Sequence, residues 1–320
     1  MKVLITGGAG FIGSQIVRDM LPRSERVIVF DKFTYSGFRE HLPETPKLTV
    51  YKGDLAGPDI PNIFLKFNGF DLVIHVAAES SVDKSISVYD EFINSNILGS
   101  ANLFKMCLAF KVPKVINFGT DEIYGDLKPG DDAFTELTPV KPRNIYSASK
   151  AGQVHMAEAF HHTFGLPVVT ICPSNCYGPR QLPEKLLPRM IHLMNKGEPL
   201  PVYGTGKNIR EWLFVEDVSS AVRLLAEKGV AGERYNVGSG NERTNLEILQ
   251  TLADMMGKDL NVKFIEDRKG HDFRYAIDYS KIAALGWRPE TDLPDGLGKT
   301  IEWYKEHAGW LENQYNKIWK

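Results

Sequence analysis

Residues 120–122 read Thr-Asp-Glu, just past the apolar run Val115–Phe118. Tyr146 and Lys150 follow, four apart, at the head of a helix-like stretch. Two adjacent carboxyl groups cannot both ionise cheaply in a dry cleft, so one becomes a proton donor and the other a base. An ammonium one helical turn from a phenol favours the phenolate and draws its pKa down from about 10. An acid, a base and a tunable phenol suit one kind of chemistry above others. A nicotinamide oxidises a sugar hydroxyl, and the ketone so formed allows water to leave from the neighbouring carbons.

The Tyr-Lys spacing alone carries little, because it also occurs at Tyr124/Lys128 and Tyr203/Lys207. Gly125 interrupts the first of these, and Gly204 and Gly206 the second, which disfavours a helix through either. Tyr146/Lys150 instead runs through Ser147-Ala148-Ser149, where the pair shares one helical face. The alternative for the acid pair is a solvated turn.

Such chemistry needs a dinucleotide. Gly8, Gly10 and Gly13 fit GxGxxG, and Gly7, Gly10 and Gly13 fit GxxGxxG, directly between a first strand and a first helix. The turn spans Thr6–Ser14 and includes Phe11 and Ile12. Helix N–H groups and the helix dipole favour a pyrophosphate there. Asp31 ends the second strand, where a carboxylate bonds a ribose diol and repels a 2′-phosphate, so NAD is favoured over NADP. Lys32 beside it pulls the other way. Asp54, ending the third strand before Leu55, is read either as an adenine contact or as a helix cap.

The elements that must hold these groups alternate. Strands are expected at Lys2–Thr6, Arg26–Phe30, Leu48–Lys52, Leu72–Ala77, Lys114–Phe118 and Pro167–Ile171, with helices at Phe11–Leu21, Glu91–Phe110 and Ser147–Phe164. Near-continuous apolar strands alternating with helices predict an α/β fold with a doubly wound parallel sheet. After residue 172 prolines thicken and helices shorten, which predicts a smaller, mostly helical substrate-binding lobe. The expected division is residues 1–172, rejoined by 211–238, for the dinucleotide, and 173–210 with 239–320 for the substrate.

The 320 residues carry a net charge of −2 and are 43% hydrophobic. That excludes disorder and a nucleic-acid footprint. Apolar runs break too early to span a membrane. The start, Met1–Ile5, imitates a leader until Gly7, Gly8, Gly10 and Gly13 interrupt it. Cys107, Cys172 and Cys176 are an odd, sparse set, read as thiols in a reducing cytoplasm with no metal site.

Together these residues resemble the extended short-chain dehydrogenase/reductase family, and within it the nucleotide-sugar 4,6-dehydratases. The likeness spans the chain. It rests on Thr6–Ser14, residues 77–86 beginning Ala77-Ala78-Glu79-Ser80, Thr120-Asp121-Glu122-Ile123-Tyr124-Gly125, Tyr146–Lys150, Asn175–Pro179, Pro183–Pro188 and Asp267–Asp272. The resemblance implies a Rossmann unit that holds NAD through Gly7, Gly10, Phe11, Ile12, Gly13, Asp31, Lys32, Asp54, Leu55, Ala77, Ala78, Tyr146 and Lys150. Thr120, Asp121, Glu122, Tyr146 and Lys150 are the implied catalytic set. The implied substrate is dTDP-glucose, with a UDP-sugar as the alternative and 4-epimerisation as a further one. Its implied contacts are Ser80, Thr120, Asn175, Glu184, Lys185, Asn208, Arg210, Asn241, Arg268 and His271. Arg210 and Arg268 suit a diphosphate, since guanidinium pairs with phosphate in a fork; structural ion pairs are the plainer reading of both.

Some positions depart from the family pattern. Gly119 stands for a usual serine, Ser81 for histidine, Lys84 for arginine and Cys176 for asparagine. Apolar positions on the helices at 91–110 and 147–164, including Ile93, Ile97, Leu103, Phe104, Met156 and Phe160, are read as a homodimer face by the resemblance or as packing on the sheet.

Overall fold

The computed structural model describes residues 1–267 and 271–320. Seven strands form one parallel sheet: β1 (Lys2–Thr6), β2 (Arg26–Asp31), β3 (Leu48–Lys52), β4 (Leu72–His75), β5 (Val115–Phe118), β6 (Val168–Pro173) and, after three strands that lie outside it, β10 (Arg234–Val237). The intervening strands are β7 (Asn175–Tyr177), β8 (Leu200–Tyr203) and β9 (Ile209–Phe214), and β11 (Glu242–Thr244) and β12 (Val262–Ile265) follow. Across the large sheet the order is β10-β6-β5-β4-β1-β2-β3. Strand order reverses between β1 and β4, and a crevice opens outside the carboxyl ends at such a switch. β1 runs from Lys2 opposite Arg26 of β2 to Thr6 opposite His75 of β4.

These strands are β-rich because both of their faces are covered. Val3, Ile5, Val27 and Val29 point into one core with helices Phe11–Met20 and Val215–Lys228. Leu4, Ile28, Val73 and Val115 point into the other with Leu103, Phe104 and Ala157. Leu103 and Phe104 are fully buried there, so that part of the apolar stripe packs on the sheet. Ile93 and Leu98, by contrast, are 47% and 45% exposed.

The helix expected over residues 91–110 is continuous but not uniform. Tyr89–Phe92 is α, Ile93–Leu98 is π and Gly99–Ala109 is α again. Helix Ile145–Phe164 begins two residues before the expected start because Asn144 and Ser147 form a reciprocal cap. Asn144 Oδ1 accepts the Ser147 N–H at 2.8 Å and Ser147 Oγ accepts the Asn144 N–H at 3.2 Å.

A third core, away from the large sheet, gathers Tyr177, Leu187, Trp212, Ile248, Leu297 and Tyr304. Helices at Leu186–Lys196, Asn245–Met256 and Leu293–Glu306 build it. It also holds short β structure, with β7 and β11 flanking β9 and β12 beside β8. These strands carry Pro201, Arg210, Glu211 and Arg243, which blunts the alternation that marks a strand in sequence.

Candidate functional site

A cavity of about 300 Å³ runs along the carboxyl ends of the parallel strands. Its floor is the turn after β1. Gly7 sits at φ +69°, and a Cβ there would lie 2.6 Å from the Ala77 backbone. A Cβ on Gly13 would lie 2.1 Å from the Gly7 carbonyl oxygen. Only bare backbone fits, and it leaves the amino end of helix Phe11–Met20 facing the cavity.

Asp31 and Asp54 stand beyond that turn. Asp31 Oδ2 accepts the Ala9 N–H at 2.9 Å, and its Oδ1 accepts the Phe33 N–H at 2.8 Å. Burial raises its pKa, and the two backbone donors oppose that rise. Lys32 pairs with Asp54 at 2.8 Å, so its charge is spent on a carboxylate and not left to attract a phosphate. Asp54 Oδ1 accepts the Ala56 N–H at 2.9 Å, and helix Ile60–Lys66 takes Asp59 as its N-cap instead. Gly10, Phe11, Ile12, Leu55, Ala77 and Ala78 line the same cavity. A glycine cradle, a helix amino end and an acid at the second strand's end are the donor set that a dinucleotide requires.

The proton-transfer groups lie at the cavity's other end. Thr120 leaves β5 and Gly119 in extended conformation and starts a single turn, Asp121–Tyr124. Its Oγ1 accepts the Glu122 N–H at 3.3 Å and donates to Asp121 Oδ1 at 3.1 Å. Asp121 is 2% exposed, and its Oδ2 is buried with no hydrogen-bond partner. Burial, then the adjacent Glu122, then Glu211 push its pKa well above the usual carboxylate range. A carboxyl group so placed favours its protonated form and can act as a proton donor. Arg210 opposes this only weakly.

Tyr146 and Lys150 both line the cavity from helix Ile145–Phe164. Lys150 Nζ donates to the Phe118 carbonyl and to Gln153 Oε1, each at 2.6 Å. Gln153 is held in turn, donating to Asn117 Oδ1 at 2.8 Å. Burial draws the Lys150 pKa down to about 7. The expectation of a lowered Tyr146 pKa does not hold for the chain's own groups. Burial raises it well above 10, Glu122 adds to the rise, and only the Thr120 hydroxyl counters it. The reason is direction: the lysine is turned to β5 and Gln153, while the phenol faces carboxylates.

One network fixes both walls. Asn96, on the π turn, accepts the Glu79 N–H at 2.8 Å and donates to the Glu79 carbonyl at 3.0 Å and to Ser149 Oγ at 2.8 Å. Ser149 Oγ donates to the Tyr146 carbonyl at 2.7 Å. The 77–80 loop and the tyrosine helix therefore cannot shift independently.

Ser80, Asn175, Glu184 and Lys185 also line the cavity. Lys185 Nζ donates to the Ser80 carbonyl at 3.1 Å, and Tyr35 donates to Glu184 Oε1 at 3.4 Å. Asn175 Oδ1 is buried without a partner. Asn208, Arg210, Asn241 and His271 stand off the cavity in the second lobe. Arg210 donates to the Ile209 carbonyl at 2.7 Å and the Asp272 carbonyl at 2.9 Å, with its guanidinium 4.5 Å from the Tyr275 ring centre. Asn208 donates to the Asp272 carbonyl at 3.2 Å. The Asn241 carbonyl accepts the Trp212 N–H at 3.1 Å. His271 Nδ1 lies 2.6 Å from Asp267 Oδ1. Arg268 lies outside the described residues.

Sequence reasoning passed over Ser36, Gly37, Ser95, Arg180, Gln181 and Leu182, which also line the cavity. None sits in a pattern with a physical signature; tertiary folding brings them there.

The family model described as "NAD dependent epimerase/dehydratase family" matches residues 3–238. The dTDP-glucose 4,6-dehydratase of Neisseria meningitidis serogroup B is 41% identical over 343 residues, covering 98% of this chain and 96% of that protein. DesIV, a dTDP-glucose 4,6-dehydratase from Streptomyces venezuelae solved with NAD bound, superposes with a TM-score of 0.94 at 40% identity, covering 98% of this chain and 100% of that one. A UDP-glucose 4-epimerase from Thermotoga maritima, solved with UDP-glucose, superposes with a TM-score of 0.91 at 30% identity, covering 96% of this chain and 100% of that one.

Proposed function

The chain belongs to the NAD dependent epimerase/dehydratase family, and we propose that within it this protein is a dTDP-glucose 4,6-dehydratase with NAD as resident cofactor. The observation that carries the reading is the buried Asp121 beside Glu122, on the same cavity as Tyr146. A 4-epimerase has no use for a carboxyl group kept protonated there.

Held by the glycine turn, Asp31 and Lys150, NAD would supply a cationic nicotinamide able to accept hydride from carbon 4 of the sugar and to give it back at carbon 6, and its charge would offset the burial that keeps Tyr146 protonated. Tyr146 accepts the proton of the carbon 4 hydroxyl, and Thr120 holds that oxygen. Glu122 takes the proton of carbon 5, acidified by the neighbouring ketone. Asp121 gives its proton to the departing carbon 6 hydroxyl, which leaves as water. Glu122 then returns its proton to carbon 5. The proton gained by Tyr146 replaces the one lost by Asp121, so the enzyme ends as it began. Lys150 orients the cofactor ribose.

Ser80, Asn175, Glu184 and Lys185 bind the sugar and diphosphate, with Asn208, Arg210, Asn241, Arg268 and His271 completing the nucleotide end from the second lobe. Residues 1–172 and 211–238 serve the cofactor, and 173–210 with 239–320 the nucleotide sugar. No helix among the described residues is long and apolar enough to cross a membrane. We place the enzyme in the cytoplasm, as a homodimer joined through the exposed Ile93, Leu98 and Ile145.

The deciding experiment incubates purified protein with dTDP-glucose and with UDP-glucose, and follows the alkali-induced absorbance of a 4-keto sugar. Signal with dTDP-glucose is expected. Silence with both would sink the dehydratase reading, and signal with UDP-glucose alone would reassign the nucleotide.

A further inference from the structure

Arg180 has no part in the proton transfers, yet the fold strains to place it. It follows Gly178 and Pro179 beyond β7 with its backbone at φ +71°. A residue with a Cβ adopts that region only when its surroundings insist. Among the described residues, only Phe33 and Lys111 share it outside glycine.

The turn carries the guanidinium back to the first helix. Its Nη2 donates to Gln15 Oε1 at 2.6 Å, and Arg180 lines the same cavity as Gly10, Phe11, Ile12 and Gly13. Its Nε is buried without an acceptor. Glu216 is the one carboxylate among the described residues that favours its charge, and Glu216 is drawn to Lys299 at 3.3 Å. Arg18 and the buried ring of His41 lie close by and add no negative charge; Arg18 itself is spent on the His41 carbonyl at 2.9 Å. Burial without a counter-ion draws the Arg180 pKa down to about 10. A buried cation is retained against that cost when something anionic completes it. The bland alternative is a tie between the segment after β7 and helix Phe11–Met20. A glutamine would make such a tie without carrying a charge out of water.

We propose that Arg180 is a cofactor-binding residue that pairs with the diphosphate of the dinucleotide, together with the amino end of helix Phe11–Met20. The assignment rests on NAD being the resident cofactor. It also gives the start of the second lobe a direct hold on the cofactor, so that cofactor occupancy and the setting of residues 173–185 are coupled.

The test measures binding and not turnover. Wild type, Arg180→Gln and Arg180→Lys are stripped of nucleotide, checked for native melting, and titrated calorimetrically with NAD, ADP-ribose, adenosine and dTDP. Arg180→Gln is expected to bind NAD and ADP-ribose about 10- to 100-fold more weakly, the range for losing a charge-assisted hydrogen bond. Adenosine and dTDP are expected to hold within about 3-fold, Arg180→Lys to recover part of the loss, and the salt dependence of NAD binding to flatten in Arg180→Gln. Unchanged NAD affinity in a folded Arg180→Gln overturns the assignment. An equal loss for adenosine also overturns it, because that marks a collapsed turn, as does a loss confined to dTDP. Should Arg180→Gln not fold, Arg180→Lys decides: a weakened NAD with unchanged adenosine supports the pairing, and no change overturns it. If wild type itself fails to bind NAD, the cofactor reading falls first.

Discussion

The Cys172 thiol occupies the space that a side chain on Gly119 would need. A Cβ on Gly119 would lie 2.7 Å from Cys172 Sγ and 3.1 Å from Val154 Cγ2. Cys172 is fully buried, so it has nowhere to retreat. Serine is the usual residue at 119 in the family that the sequence resembles, and beside Cys172 its side chain has no room. Gly119→Ser is expected to destabilise the fold by about 1–3 kcal/mol through overpacking. Adding Cys172→Ala should recover much of that loss, giving a coupling of about 1 kcal/mol or more in a double-mutant cycle. Denaturant unfolding of the four proteins measures it, and strictly additive changes would refute the shared space.

Asp121→Asn separates acid chemistry from stability. The folded chain holds a proton on Asp121 that the unfolded chain releases above about pH 4, so this group costs stability as pH rises. Asparagine removes that cost while keeping the shape. The variant should therefore gain stability relative to wild type on going from pH 4 to pH 8, and lose about 10²- to 10⁴-fold in turnover. A stability difference that does not change with pH would mean that Asp121 is ionised in the fold.

Glu122→Gln should divide the reaction at its middle. The first oxidation needs Tyr146 and not Glu122, so the absorbance of reduced nicotinamide should rise on adding dTDP-glucose and persist. The 4-keto-6-deoxy product should form about 10²- to 10⁴-fold more slowly. Normal turnover would remove Glu122 from the role of base.

Much of this architecture is local, and that is why it can be read from sequence. β1 and β3 fall at their expected residues because each is a short β-branched run ended by glycine or a charged residue. The glycine turn is legible because its constraint is steric and needs no distant partner. The π turn at Ile93–Leu98 is not, since Asn96 is anchored by Glu79 and by Ser149, 17 and 53 residues away. β9 hides for a similar reason. Its Glu211 is buried only because the N–H groups of Ser239, Gly240 and Ile277 converge on the carboxylate. Spacing alone does not set the pKa of Tyr146, because the i to i+4 rule places two side chains on one face without saying where their ends point.

Lys150 gives the last prediction, and it concerns the cost of a functional charge. Its pKa is about 7 in the fold against an ordinary 10.5. Between those values the unfolded chain holds a proton that the folded chain has released. Stability therefore rises with pH across that window, and below about pH 7 the fold bears the full cost of the buried ammonium. Lys150→Met cannot titrate. With cofactor removed from both proteins, wild type should gain on Lys150→Met by about 2–3 kcal/mol between pH 7 and pH 9, at roughly 1.4 kcal/mol per unit. Lys150→Met also strips a donor from the Phe118 carbonyl and Gln153, a loss that shifts the whole comparison by a constant and leaves its slope intact. A flat difference would place the Lys150 pKa back near 10 and would mean that solvent reaches the ammonium. A rising one would show that the site keeps its lysine poised at the border of ionisation, where a nearby anion can tip it.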